Sequence, residues 1–366
     1  MSNIPMNESQ SLESLRNQID QIDSDVHALI NQRATLAQKV ATIKKASGEQ
    51  FSFYRPEREA QVLRAIKSRN NGPLHDEEVA RIFREIMSAC LALEQPLNVA
   101  FLGPEGTFTQ QAALKHFGES MVSAPMATIK SVFREVEAES AHYGVVPVEN
   151  STEGVISHTL DLFVNSPLKI CGEVALRIHH HLLALNKNTN QITKIVSHQQ
   201  SFAQCREWLS KNYPQIDQIT VSSNAEAARI AANDENTAAI AGEVAEQTYG
   251  LNRIAGNIED SPNNTTRFLI IGHQDSDPSG EDKTSLLVAT KNKPGALYHL
   301  LKPLSDSKIS MTRIESRPAK KGNWEYVFFI DINGHEKQAH IAETLGLLQD
   351  QASLFKILGS YPCAVL

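Results

Sequence analysis

The sequence predicts a multidomain chain: an all-α segment, then an α/β segment, then a shorter segment that mixes four strands with two helices. Three observations carry this. Apolar residues recur at steps of three and four from Leu12 to Ile43. After Glu94 and Pro96 the pattern changes at once to short β-rich runs alternating with helical stretches. A polar, turn-rich stretch at 273–283 then reads as a linker before a final strand, helix, strand, strand, helix, strand. With 366 residues, 41% hydrophobic and 21% charged, the chain is long enough for each segment to bury its own core.

The first segment, residues 1–95, reads as three helices. Leu12, Leu15, Ile19, Ile22, Val26, Leu29, Leu36, Val40 and Ile43 mark a coiled-coil seam on one long helix that stops at Gly48. Pro56 suits the first turn of a second helix running to Ser68, and Asp76 to Glu94 forms the third. Three helices with one so long cannot close a compact core, so the seam is expected to pack against a second copy of itself, giving a homodimer.

Arg33 occupies a seam position where an apolar residue was due, and a lone guanidinium is costly to bury. A carboxylate from a neighbouring helix would satisfy it. Lys44, Arg58 and Glu59 add charged groups able to converge on a pocket between helices, which would suit a small dicarboxylate. Arg16 stands about 25 Å before Arg33 along a helix, so if both touch one ligand Arg16 comes from the partner chain.

In the middle segment, 97–272, NVAFLGPEGTFTQQAA runs from a strand through a glycine turn into a helix opened by Thr107, offering backbone N–H groups to an anion. It lacks the second glycine of G-x-G and any G-K-S/T, so no nucleotide is implied. The apolar strand GVVPV ends in a polar turn, Glu149 to Thr152, where strand ends of α/β sheets meet ligands. Helix capping and loop hydrogen bonds are the plainer alternative for Ser151 or Thr152. His179, His180 and His181 are adjacent, and neighbours on a strand face opposite ways, which argues against a metal site.

No cofactor is implied elsewhere. Cys90, Cys171, Cys205 and Cys363 are isolated and read as reduced thiols. A net charge of −7, interleaved along the chain, gives no footprint for nucleic acid or an anionic membrane, so small-molecule partners are expected. The first ten residues lack a basic region followed by an apolar one, and no later run is long enough to span a bilayer; a cytoplasmic protein is expected.

The charged residues of 10–95, at these spacings, resemble the helical chorismate mutase family. That resemblance implies that Arg16 from one subunit, with Arg33 and Arg58 from the other, binds the two carboxylates of chorismate. Lys44 and Glu94 would face the ether oxygen, and Glu59 would take a substrate hydroxyl. The reaction is a pericyclic rearrangement, so catalysis reduces to holding a compact conformer and stabilising charge on that oxygen. Arg55, placed among the chorismate-binding residues, and Glu94 depart from members with an acid and a glutamine there. Glu94 donates a hydrogen bond only when protonated, so activity is expected to fall as pH rises.

YGVVPVENSTEGVISHTLDLF, IVSHQQSFAQC, SNAEAARIA, AAIAGEVAEQTYGL and IEDSPNNTTRFLIIG, in this order, resemble prephenate dehydratase over 98–272. Asn264-Thr265-Thr266-Arg267-Phe268 is the most specific piece. The resemblance implies two α/β lobes, as in periplasmic-type binding proteins, with the site in the cleft and lobe closure excluding water. Thr266 would help the ring hydroxyl leave, and Arg267 would anchor a carboxylate or shape the site. Thr107, Asn150, Ser151, Thr152, His198, Gln200 and Phe268 complete the expected prephenate-binding set; Gln199 replaces a proline usual in that family.

Lys293 to Leu297, between a strand and a helix, and Glu315 to Pro318, ending the next strand, resemble the paired motifs of an ACT domain, here 284–366. This implies a phenylalanine site made by Gly295, Ala296 and Leu297 with Glu315, Ser316 and Arg317, against a neighbouring ACT domain, and feedback inhibition. A dimerisation module without ligand is the plainer alternative. For the whole chain, a non-catalytic carboxylate or amino-acid sensor is the rival reading. Thr266 and the basic helix residues argue against it.

Overall fold

The computed structural model describes residues 12–46, 54–291, 293–318 and 326–366. The first ten residues, Gly48, and Trp324 with Glu325 lie outside the described residues.

The N-terminal helices are α1 (Leu12–Ala46), α2 (Pro56–Arg69) and α3 (Asp76–Glu94). α1 packs on α3, covering the stripe Ile30, Ala34, Ala37, Ala41 and Lys44, whose spacing of four and three keeps it on one face. Alanines there let the two helices approach closely. The leucine seam predicted from the heptads lies on another face, and its nine residues are 40% to 70% exposed. Arg33 is exposed with them, so in one chain the guanidinium has no burial cost to offset.

Residues 98–272 form two lobes. The first contains β1 (Asn98–Leu102), α4 (Phe108–Phe117), β2 (Val122–Met126), α5 (Ile129–Glu137), β3 (Tyr143–Asn150), β4 (Gly154–Val155), α6 (Ser157–Phe163) and β5 (Lys169–Arg177). The chain crosses to a second lobe: β6 (His181–Ala184), β7 (Lys194–His198), α7 (Gln199–Gln204), α8 (Arg206–Asn212), β8 (Asp217–Val221), α9 (Asn224–Ala231), β9 (Thr237–Ala241), α10 (Glu243–Tyr249) and β10 (Asn252–Ala255). It returns to the first lobe as β11 (Thr265–Gly272). The first sheet runs β2-β1-β3-β11-β5 with β4 on β3, the second β10-β6-β9-β7-β8. β11 is antiparallel to both β3 and β5, so its first residues lie beside Asn150 at the lobe junction.

The last domain comprises β12 (Asp282–Ala289), α11 (Ala296–Asp306), β13 (Met311–Pro318), β14 (Tyr326–Asn333), α12 (Ala339–Gln351) and β15 (Leu354–Pro362), in sheet order β13-β14-β12-β15. Period-two alternation gives this sheet two apolar faces. Leu286, Val288, Ile330 and Ile332 pack on the two helices. Leu287, Val327, Phe329 and Tyr361 share a core with Val146, Val148 and Leu269 of the first lobe. Gly359 permits this contact, because a Cβ there would lie 2.2 Å from the Ile170 carbonyl oxygen.

The stretch 273–283, expected to be a linker, is instead pinned. Ser276, Ser279 and Asp282 are buried. The Asp282 carboxylate accepts from Ser279 N at 2.9 Å, and Arg64 of α2 donates to the carbonyls of Ser279 and Glu281. These polar residues satisfy buried backbone between three packed domains, which composition alone could not distinguish from a solvated link.

Candidate active sites

Thr266 and Phe268 are alternate residues of β11 and face the cleft between the lobes. They line a cavity of about 180 Å³ together with Asn150 from the end of β3 and His198 and Gln200 from the start of α7. An adjoining cavity of about 760 Å³ shares His198 and Gln200 and adds Thr107. The expected dehydratase residues Thr266, Phe268, Asn150, His198, Gln200 and Thr107 therefore border one cleft.

Local chemistry explains how several are held. Thr107 caps α4, accepting from Gln110 N, and donates to the Leu102 carbonyl at 3.0 Å. Asn224 Oδ1 accepts from His198 N, Ser197 Oγ and Ser201 Oγ, fixing the β7–α7 junction. Asn150 Nδ2 donates to Thr266 Oγ1 at 2.8 Å and to Asn264 Oδ1 at 2.9 Å.

Phe108, His180, Gln204 and Asn264 also line the cleft and were given no role in it from sequence. Asn264 stood in the most specific motif and could have been found there; the others sit in ordinary helix or loop contexts. Burial lowers the His180 pKa and keeps the ring neutral, although Gln204, bonded to Nε2 at 2.8 Å, opposes the shift. His179 pairs with Glu259 at 2.7 Å and His181 accepts from Asn257 N, so the three histidines go to three partners. Among the described residues no group of three or more His, Cys, Asp or Glu gathers in metal-binding geometry.

Ser151 and Thr152 are exposed turn residues outside the cavity lining, a correction to their expected role. Ser151 Oγ accepts from Thr265 N at 2.9 Å, and Thr152 N donates to Asn150 Oδ1 at 2.9 Å; both lock the turn against β11.

Arg267 is a second correction. One residue along β11 from Thr266, it emerges on the opposite face, away from the cleft. Its guanidinium meets Glu173 at 2.8 Å, Asp331 at 2.6 Å and the Tyr361 hydroxyl at 3.0 Å, tying the first lobe to the C-terminal domain. Lys283 completes the cluster on Glu173 at 2.7 Å.

In the helical domain the structure redirects two expected chorismate ligands. Arg55 pairs with Glu57 at 2.6 Å and Asp277 at 3.0 Å, beside the pinned 273–283 stretch. Glu59 pairs with Arg84 of α3 at 2.8 Å; Arg84 in turn donates to the carbonyls of Lys115 and His116. Glu59 thus faces the dehydratase lobe, where burial raises its pKa and Arg84 opposes the shift. Arg16, Arg33 and Arg58 are exposed, and Lys44 and Glu94 are half-buried on the packed pair α1 and α3.

In the C-terminal domain Gly295, Ala296 and Leu297 line a cavity of about 250 Å³ with Tyr326 and Phe328. Gly295 has φ 77°, a left-handed conformation that favours glycine and starts α11 at the cavity. Arg317 does not join it: it donates to Ser157 Oγ at 2.6 Å and meets Asp161 at 3.4 Å on α6, because β13 lies against the first lobe. Glu315 shares the alternating face of Arg317, and Ser316 the exposed one; neither borders the cavity.

The chorismate mutase type II family matches residues 15–95, the prephenate dehydratase family residues 99–276 and the ACT domain residues 284–346. A bifunctional chorismate mutase/prephenate dehydratase of Stutzerimonas stutzeri is 56% identical over 99% of this chain and 100% of its own length. Among solved structures, a prephenate dehydratase of Arthrobacter aurescens in complex with L-Phe is 32% identical, with TM-score 0.67, over 73% of this chain and 90% of that one. A protein described as a novel type of quorum quenching acylase, GqqA, is 27% identical, with TM-score 0.68, over 73% of this chain and 98% of that one. With helical, two-lobed and ACT parts in the same order as a relative it matches end to end, the chain belongs to the bifunctional chorismate mutase/prephenate dehydratase family.

Proposed function

We propose that this chain rearranges chorismate to prephenate in its helical domain and converts prephenate to phenylpyruvate in the cleft between its lobes, with phenylalanine bound by its C-terminal domain as inhibitor. The observation that carries the second reaction is Thr266: a nearly buried hydroxyl facing the cleft, held by Asn150 at 2.8 Å. In that reaction the electrons of the ring-to-carboxylate bond flow into the ring as carbon dioxide leaves, and the ring hydroxyl departs from the opposite carbon. Hydroxide is a poor leaving group, so a hydrogen bond from Thr266 to that oxygen lowers the barrier. Thr107, His198 and Gln200 line the rest of the cleft, where lobe closure excludes water.

For the first reaction, Arg33, Arg58, Lys44 and Glu94 of one chain form the pocket with Arg16 of a second. The exposed seam supports that occupant: nine apolar side chains in heptad spacing along a 35-residue helix match a second copy of the same helix. Arg16 and Arg33 are about 25 Å apart on that helix, so only a partner brings them to one ligand. The lining of Gly295, Ala296 and Leu297 supports the phenylalanine site. Among the described residues no helix is long and apolar enough to cross a membrane.

The test is to incubate purified protein with chorismate and follow prephenate and phenylpyruvate separately. Arg33→Ala should stop prephenate formation yet still convert supplied prephenate. Thr266→Ala should accumulate prephenate, with dehydration slowed by about 10² to 10⁴. Loss of both activities in either variant overturns the two-site reading, and phenylalanine that neither binds nor slows dehydration removes the effector.

A further inference from the structure

The C-terminal domain begins and ends at one point, and a side chain of the helical domain stands there. Cys363 N, just past β15, donates at 2.9 Å to the carbonyl of Glu281, just before β12. Arg64 of α2 donates to that same carbonyl at 2.9 Å and to the Cys363 carbonyl at 3.4 Å. It also donates to the Ser279 carbonyl at 3.2 Å and hydroxyl at 3.0 Å. One planar guanidinium, whose donors form a fixed fork, thus holds both ends of the domain. Ala60, Leu63, Arg64 and Lys67 form one stripe of α2, which also takes the segment after β15. Lys67 donates to the Val365 carbonyl at 3.2 Å, and Val365 and Leu366 pack against Leu63, Ala80 and Met87. Arg55 and Lys337 share the Asp277 carboxylate at 3.0 Å and 2.6 Å, tying the start of α2 to the loop after β14.

Two paired strands join this clamp to the cavity of the C-terminal domain. β12 starts at Asp282, beside the clamp, and leads to Thr290, which lines the cavity with Gly295, Ala296 and Leu297. β14 starts with Tyr326 and Phe328 in the same lining and ends at Asn333, opposite Lys283. The next residue, Gly334, donates from N to the Asp282 carbonyl at 2.8 Å. The sheet between these two ends lies on the first lobe through Leu287, Val327 and Phe329. We propose that Arg64 is a coupling residue of the phenylalanine switch: a side chain of the mutase domain fixes one end of the sensor sheet, so that a shift imposed at the cavity end is passed to the dehydratase lobe beneath it. With the clamp closed, the sheet cannot move as a whole, and displacement at the cavity presses on that lobe. With the clamp open, the same displacement is absorbed by the sensor domain. Arg58, the proposed chorismate ligand, is exposed on another face of α2, so the clamp and the mutase pocket draw on different residues.

This rests on phenylalanine acting as inhibitor through the C-terminal domain, and the experiment separates the two. In the full-length protein, Arg64→Ala should bind phenylalanine in calorimetry with Kd within about threefold of wild type, yet the dehydration rate left at saturating phenylalanine should rise about fivefold. Without phenylalanine, dehydratase and mutase turnover should each stay within about twofold of wild type, because Arg64 lines neither site. Arg64→Lys keeps the charge but, as a point donor, cannot span Glu281 and Cys363 together, and should fall between the two. The coupling is overturned if the residual rate in Arg64→Ala stays within about twofold of wild type. It is equally overturned if phenylalanine affinity falls in step with inhibition, which would make Arg64 a support of the sensor's own fold. Should Arg64→Ala lose dehydration without phenylalanine, the ratio of rates with and without phenylalanine in Arg64→Lys decides alone. Wild-type protein that phenylalanine does not slow would instead overturn the effector reading itself.

Discussion

Thr266 stands among polar groups that one chain gathers from both lobes and both crossings, whereas Arg16 and Arg33 lie far apart on one long helix whose apolar seam is exposed among the described residues. The two regions solve the same problem differently. In the dehydratase cleft, charge and hydrogen-bond direction are set by residues over a hundred positions apart that folding brings together, such as Asn150 and Asn264. In the helical domain the long helix exposes Arg16 and Arg33 to solvent, and in the proposed mutase pocket their convergence is left to a second copy. A site closed by intrachain packing should depend on folding alone, and one closed by a seam should depend on protein concentration and on the partner.

The strongest way to break this contrast is to place charge on the seam. Leu29→Glu with Leu36→Glu alters side chains that are about 60% exposed in the single chain, so the chain should still fold while two copies no longer pair. Mutase activity should drop by about 100-fold or more as sedimentation shows the helical domains separating, with dehydration retained. Full mutase activity in a monomeric variant would contradict shared pockets.

A second variant sharpens the other side of the comparison. Arg267→Ala leaves Glu173 and Asp331 buried between two domains with one guanidinium fewer, and should cost about 3 kcal/mol in denaturant unfolding. KM for prephenate should barely change, because Arg267 faces away from the cleft. A large rise in KM with unchanged stability would return Arg267 to the substrate.

The smallest effect is the most specific. Arg16→Ala and Arg33→Ala should each be inactive as mutases, but mixed in equal amounts and allowed to exchange subunits they should recover about a quarter of wild-type activity. Half of the dimers are then mixed, and each mixed dimer has one of its two pockets intact. No recovery would place both arginines in the same chain's pocket.

Much of this was legible in the residues. The third helix runs from Asp76 to Glu94 as its pattern indicated, and the last domain has the expected order of strands and helices, because 3.6- and two-residue periodicities record which face is covered. Thr266 was singled out from its motif and Asn150 from the end of an apolar strand, and both line the cleft. The errors share one cause. Arg267, Arg317, Arg55 and Glu59 were assigned from the motifs and family pattern in which they stand, yet each pairs with a residue of another element: Asp331, Asp161, Asp277 and Arg84.

By itself, then, the sequence determined the three folds, their order and the residues that carry charge and hydroxyl groups, since these follow from periodicity and side-chain type. Only the tertiary structure decided which way those groups point. Adjacent strand residues face opposite layers, and the layer behind β11 is the C-terminal domain, so Thr266 serves the cleft while Arg267 holds two domains together.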